Sequence, residues 1–126
     1  MYGTNLVKVR GNYDDDNRLC TELSFEHESW AFVNVNLRPY YAEGSKTLAY
    51  EIAEQLGWRT PSAVIIPIAS GALFSRVHRG FGELLDLGLA EGARPRLYGG
   101  QAEGCSPVAT AFHAQQRVTP VRPATA

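Results

Sequence analysis

Cysteine is scarce in this 126-residue chain, and its placement excludes a familiar class of site. Cys20 and Cys105 stand far apart, at no metal-ligand spacing from each other or from His27, His78 and His113. The common zinc motifs are therefore absent, and both thiols read as packing residues. Charge of one sign is also lacking. The 12 Lys and Arg are intermixed with 13 Asp and Glu, for a net charge of −1, which gives no electrostatic grip on nucleic acid or a membrane surface. No apolar run approaches the roughly 18–20 residues needed to cross a bilayer. Residues 1–10 lack the basic start and apolar middle of a secretory leader, so a cytoplasmic location is the default expectation. No Gly-x-Ser-x-Gly elbow occurs, and a serine hydrolase is not indicated.

What is present alternates strand and helix. Residues 5–10 (NLVKVR) read as a short strand, punctuated by Gly11 and Asn12. Asp14, Asp15 and Asp16 then open a helix, with acidic groups where the helix dipole favours them. Residues 31–35 (AFVNV) read as a second strand, and 36–44 as a loop containing Pro39 and Gly44. Ser45 can cap a helix over 46–56, where Leu48, Ala49, Ile52, Ala53 and Leu56 recur at helical spacing, and Gly57 suits its left-handed end. Residues 63–68 (AVIIPI) are almost wholly apolar and branched, as in a strand buried on both faces of a parallel sheet. A helix with Leu73, Val77, Phe81 and Leu84 on one side follows and closes at Gly88. A fourth strand is expected over 96–98. Ser106 before Pro107 then starts a last helix whose apolar side is Val108, Ala111 and Phe112. Four such units in succession predict an α/β fold, a three-layer parallel sheet with helices on both faces.

The strongest local signal for chemistry is the strand–turn–helix over 65–77. In open α/β sheets ligands bind beyond the carboxyl ends of strands. Ala69, Ser70, Gly71 and Ala72 are small enough to let main-chain N–H groups approach an anion, and the helix that follows adds its positive end. A phosphate site and a tight turn of small packing residues both fit this pattern. Gly44, Ser45, Lys46 and Thr47 do not make a nucleotide-binding P-loop, because Ser45 separates glycine from lysine and Pro39 stands where the earlier glycine belongs. Arg38 can clamp a phosphate or carboxylate through its planar fork, or be a solvated loop residue.

Four segments, in order, resemble the threonine synthases among the tryptophan-synthase-like (fold type II) pyridoxal-phosphate enzymes. They are Tyr2-Gly3-Thr4-Asn5 with Asn12-Tyr13-Asp14-Asp15; Asn34-Val35-Asn36 with Tyr41-Ala42-Glu43-Gly44-Ser45-Lys46-Thr47; Pro67-Ile68-Ala69-Ser70-Gly71-Ala72-Leu73; and Gln101-Ala102-Glu103-Gly104-Cys105-Ser106-Pro107. The resemblance implies two α/β domains with pyridoxal 5'-phosphate between them, residues 1–30 ending the smaller and 31–126 forming part of the larger. It implies that Ala69, Ser70, Gly71, Ala72 and Leu73 donate main-chain N–H groups to the cofactor phosphate. Asn36 and Arg38 would stand near the phosphate of a phosphorylated amino-acid substrate.

The family's cofactor-linking lysine lies in a motif like Ser-Phe-Lys-Asp, which this sequence lacks. The two lysines here, Lys8 and Lys46, stand in other contexts, so no catalytic residue is assigned. The chain is therefore expected to be an internal piece of such an enzyme, inactive alone. Bare apolar surface around AVIIPI should favour self-association. Two alternatives remain open at the level of sequence: a non-catalytic α/β module that binds a phosphate-bearing ligand, and a piece of a dehydratase or sulfhydrylase of the same fold.

Overall fold

The computed structural model describes residues 3–33 and 38–121, with the backbone alone for Arg38. The elements run α1 (Tyr13–Glu26), α2 (Arg38–Gly44), α3 (Thr47–Gln55), β1 (Ala63–Pro67), α4 (Ala72–Asp86), β2 (Arg96–Gly100) and α5 (Pro107–Ala114). The chain divides into two units, Met1–Tyr41 and Ala42–Ala126.

In the first unit, α1 is made by its own ends. Asn12 Oδ1 accepts from the Asp15 amide at 3.1 Å, and Asp15 Oδ2 accepts from the Asn12 amide at 3.1 Å, a reciprocal capping box. Asp14, Asp15 and Asp16 occupy the first turn, yet no residue of α1 is buried. The strand expected over 5–10 does not form, and Leu6 and Val7 are exposed. A strand needs a partner for its N–H and C=O groups, and no described segment pairs with this one. Residues 31–33 are likewise not a strand, and 34–35 lie outside the described residues.

In the second unit, β1 and β2 pair in parallel, from Ala63 opposite Arg96 to Pro67 opposite Gly100. The α/β class and the parallel pairing are as expected. The described residues hold two of the four anticipated strands. Because side chains alternate, Val64, Ile66 and Leu97 face the helices, and Ile66 is fully buried. Their neighbours Ile65 and Tyr98 point the other way and stay 79% and 51% exposed. AVIIPI is thus covered on one face, not two, because among the described residues helices pack on that side alone: α4 on both strands, α3 on α4.

The core is the apolar stripe of α4 against α3 and the sheet. Val77, Phe81 and Leu84 are buried with Ala49, Ala53 and Ile66. Gly80 sets the helix separation: a β-carbon there would stand 2.9 Å from Ala49 Cβ and 3.1 Å from the Lys46 carbonyl oxygen. Leu48 and Leu56, expected on the apolar side of α3, are 38% and 49% exposed. In α5, Ala111 is buried but Phe112 is not.

Two boundaries differ from expectation. The segment read as a loop over 36–44 contains α2; Pro39 lies in its first turn, where a missing N–H breaks no helical bond. The next helix starts at Thr47, with Lys46 at the cap position and no side-chain cap bond, so Ser45 is not the cap. Thr47 Oγ1 instead donates to the Gly44 carbonyl at 2.7 Å. No helix among the described residues is long and apolar enough to cross a membrane.

Candidate functional site

The turn between β1 and α4 is an open row of amides. Gly71 holds the N-cap position of α4 at φ 82°, a left-handed angle. A β-carbon there would meet nothing within 4 Å, so backbone angle and not space calls for glycine. The first bond of the helix runs from the Ser75 amide to the Gly71 carbonyl at 3.0 Å. Ahead of it, the Ala72 amide has a long contact with Ser70 Oγ at 3.4 Å. The amides of Ala69, Gly71 and Leu73 have no acceptor among the described residues. Helix starts leave such donors free, and the aligned peptides of the 15-residue α4 add positive potential. Ala69 and Ser70 are exposed; the Leu73 side chain packs against the core, which leaves its N–H as what it offers.

The base of this turn is held from β2. The Ile68 amide donates to the Gly100 carbonyl at 2.8 Å, which carries the pairing one bond past the strand. Gln101 Nε2 donates to the Ile68 carbonyl at 3.2 Å, and Gln101 Oε1 accepts from the Ala109 amide at 2.9 Å. Ser106 makes no side-chain cap bond on α5, so Gln101 satisfies that helix start from outside. The Gln101 segment was legible as a motif; this double role was not, because it joins residues 33 and 8 positions away.

A charged cluster joins α3 to α4. Lys46 is 5% exposed. Its ammonium pairs with Glu43 and donates to Glu83 Oε1 and Oε2 at 2.8 and 3.0 Å. Tyr50 Oη donates to Glu83 Oε2 at 3.0 Å, and Arg79 Nε to Glu83 Oε1 at 2.9 Å. The Lys46 hydrogen bond, then those of Tyr50 and Arg79, hold the Glu83 carboxyl down at about 2. The hydrogen bonds that Lys46 donates to Glu43 and Glu83 raise it above its ordinary value. Burial, then the bond to Glu83, raises the Tyr50 phenol. Lys46 is thus a saturated structural cation. A lysine that attacks a carbonyl must be able to shed its proton, so this one is poorly suited to that work. Lys8 is exposed in an irregular segment.

Asn36 and the side chain of Arg38 lie outside the described residues; the backbone of Arg38 begins α2. A hollow of about 350 Å³ lies against α5, lined by Cys105, Ser106, Thr110, Ala111, Gln116 and Arg117 among others. None of residues 69–73 lines it. Among the described residues no three His, Cys, Asp or Glu side chains gather as metal ligands.

A family model described as pyridoxal-phosphate dependent enzyme matches residues 1–126. The chain is similar to the threonine synthase of Methanocaldococcus jannaschii, 34% identical over 112 residues, and to that of Methanosarcina acetivorans, 32% over 112 residues. Each alignment covers 89% of this chain and 27% of the relative. The threonine synthase of Synechocystis is 35% identical over 107 residues, 85% of this chain and 27% of its own. The chain spans about a quarter of the length of these curated relatives. The cofactor that goes with the family is pyridoxal phosphate, and the open amides ahead of α4 suit its phosphate end. With the match running from the first residue to the last, the chain belongs to the pyridoxal-phosphate dependent enzymes.

Proposed function

We propose that the β1–α4 turn receives the phosphate of pyridoxal phosphate through the main-chain N–H groups of Ala69, Ser70, Gly71, Ala72 and Leu73, within an enzyme of threonine synthase type. The reaction is conversion of O-phosphohomoserine and water to threonine and phosphate. What carries the reading is the amides of Ala69, Gly71 and Leu73, which have no acceptor among the described residues, at a turn opened by the left-handed Gly71. The relatives named threonine synthase support the reaction class. Bound pyridoxal phosphate supplies an electron sink for carbanions. The residues of this chain anchor it: the turn fixes the phosphate, and Ser70 Oγ adds a hydroxyl donor. Asn36 and Arg38 bind the phosphate of the amino-acid substrate. Residues 1–30 belong to the smaller domain of such an enzyme and 31–126 to the larger, and a cytoplasmic location goes with that role.

Residues 1–126 by themselves are inactive on this reading, since Lys46 is committed to Glu43 and Glu83 and Lys8 stands in no suitable motif. Titration of the ¹⁵N-labelled chain with pyridoxal phosphate tests the anchor. The amide resonances of Gly71, Ala72 and Leu73 should move saturably, and Gly71→Val, which forces a branched residue toward φ 82°, should weaken binding at least about tenfold. Amides that stay still at saturating ligand would refute the anchor. Borohydride treatment with mass spectrometry should find no single lysine labelled stoichiometrically; a full label confined to Lys8 or Lys46 would overturn the inactivity.

A further inference from the structure

We infer that Gln101 is a positioning residue that aims the first amide of the phosphate turn, an inference that rests on the reading of 69–73 as that turn. The peptide between Ile68 and Ala69 is planar and trans, so its C=O and N–H point to opposite sides of one rigid plate. Gln101 Nε2 holds the oxygen edge of that plate at 3.2 Å. The nitrogen edge, the Ala69 N–H, is then directed away from Gln101 and has no acceptor among the described residues. The residue before the plate is also pinned, because the Ile68 amide donates to the Gly100 carbonyl at 2.8 Å. Rotation of the plate would therefore break a bond at Gln101 or strain the pairing with β2.

The side-chain amide of Gln101 is oriented by its own partners. Its oxygen accepts from Ala109 at 2.9 Å, which obliges its nitrogen to face Ile68. One side chain thus ties the exit of β1 to the start of α5, and the orientation of an anion-facing amide depends on a helix that lies later in the chain. Anchors of this kind matter because an error of about 1 Å at a binding group can cost on the order of a hundredfold in rate.

The test is Gln101→Met in the full chain, read first without ligand. The Ala69 amide resonance should move from its wild-type position, and affinity for pyridoxal phosphate should fall about tenfold, while far-UV circular dichroism is kept. Loss of a simple helix cap would disturb the Ala109 region and leave Ala69 in place. A folded variant whose Ala69 resonance coincides with wild type overturns the inference. If Gln101→Met fails to fold, Gln101→Glu replaces it: its carboxylate keeps the acceptor for Ala109 and loses the donor to Ile68, and the same Ala69 resonance decides. Should the wild-type turn show no response to pyridoxal phosphate, the cofactor reading falls and the ligand-free Ala69 resonance alone decides the role of Gln101.

Discussion

Helices α1 and α4 are nearly equal in length, 14 and 15 residues, and are built on opposite principles. The first has a complete capping box and three aspartates in its first turn, yet buries nothing. The second has a glycine at its N-cap, with no side chain to cap it, yet buries Val77, Gly80, Phe81, Gly82 and Leu84. Local signals decide where a helix begins; burial decides whether it contributes to a fold. The uncapped start of α4 also leaves amides open where α1 has spent one on Asn12. The better-capped helix is the worse anion site.

The comparison breaks most sharply at Phe81, which is fully buried. Phe81→Ala should cost about 3–5 kcal/mol and lower hydrogen-exchange protection across the core that α3, α4 and the sheet share. Residue-resolved hydrogen exchange would show this. Protection retained in full at Val77 and Leu84 would contradict it.

A smaller effect is expected from pH. Glu83 is held at about 2 in the folded chain against an ordinary 4.5, so its stabilisation is complete above 4.5 and is lost as pH falls from there toward 2. Glu43, lowered chiefly by its hydrogen bond to Lys46, acts in the same direction. Lys46 and Tyr50 are raised, so their contributions are complete below their ordinary values of 10.5 and 10.0 and are lost as pH rises beyond. Denaturant midpoints for the α3–α4 pair should hold level between these limits. Glu83→Gln should flatten the acid limb; an unchanged limb would show that Glu83 does not carry it. Smallest of all, Asn12→Ala should destabilise α1 by about 1 kcal/mol and leave the α3–α4 midpoint where it was.

How far each region was legible in sequence follows the same division. The stripe of Leu73, Val77, Phe81 and Leu84 and the left-handed Gly57 and Gly88 are local patterns, and α4 and the end of α3 appear where they imply. The strand–turn–helix over 65–77 was legible for the same reason. The strand patterns at 5–10 and 31–33 were misleading because alternation describes a segment that could pair, and pairing depends on a neighbour no local window contains. Neither the Lys46–Glu83 pair, 37 positions apart, nor the bridge from Gln101 to Ile68 leaves a trace in spacing. Lys46 was read as the first residue of a helix; Glu43 is near it in sequence, but only folding brings Glu83 to it.

The reach of Gln101 also bears on which length changes the chain can absorb. Between α4 and β2 the chain is tied down by buried Ala90 and by the Glu91 bonds to Trp58 and Thr60, but a length change that spares these ties leaves the glutamine's approach to Ile68 intact, since β2 re-registers the chain afterward. A single residue inserted between Gly100 and Gln101 has no such remedy. Strand geometry would turn the side chain to the opposite face and leave the Ile68 carbonyl with nothing to hold it. A change of length should therefore be barred at the last step of β2.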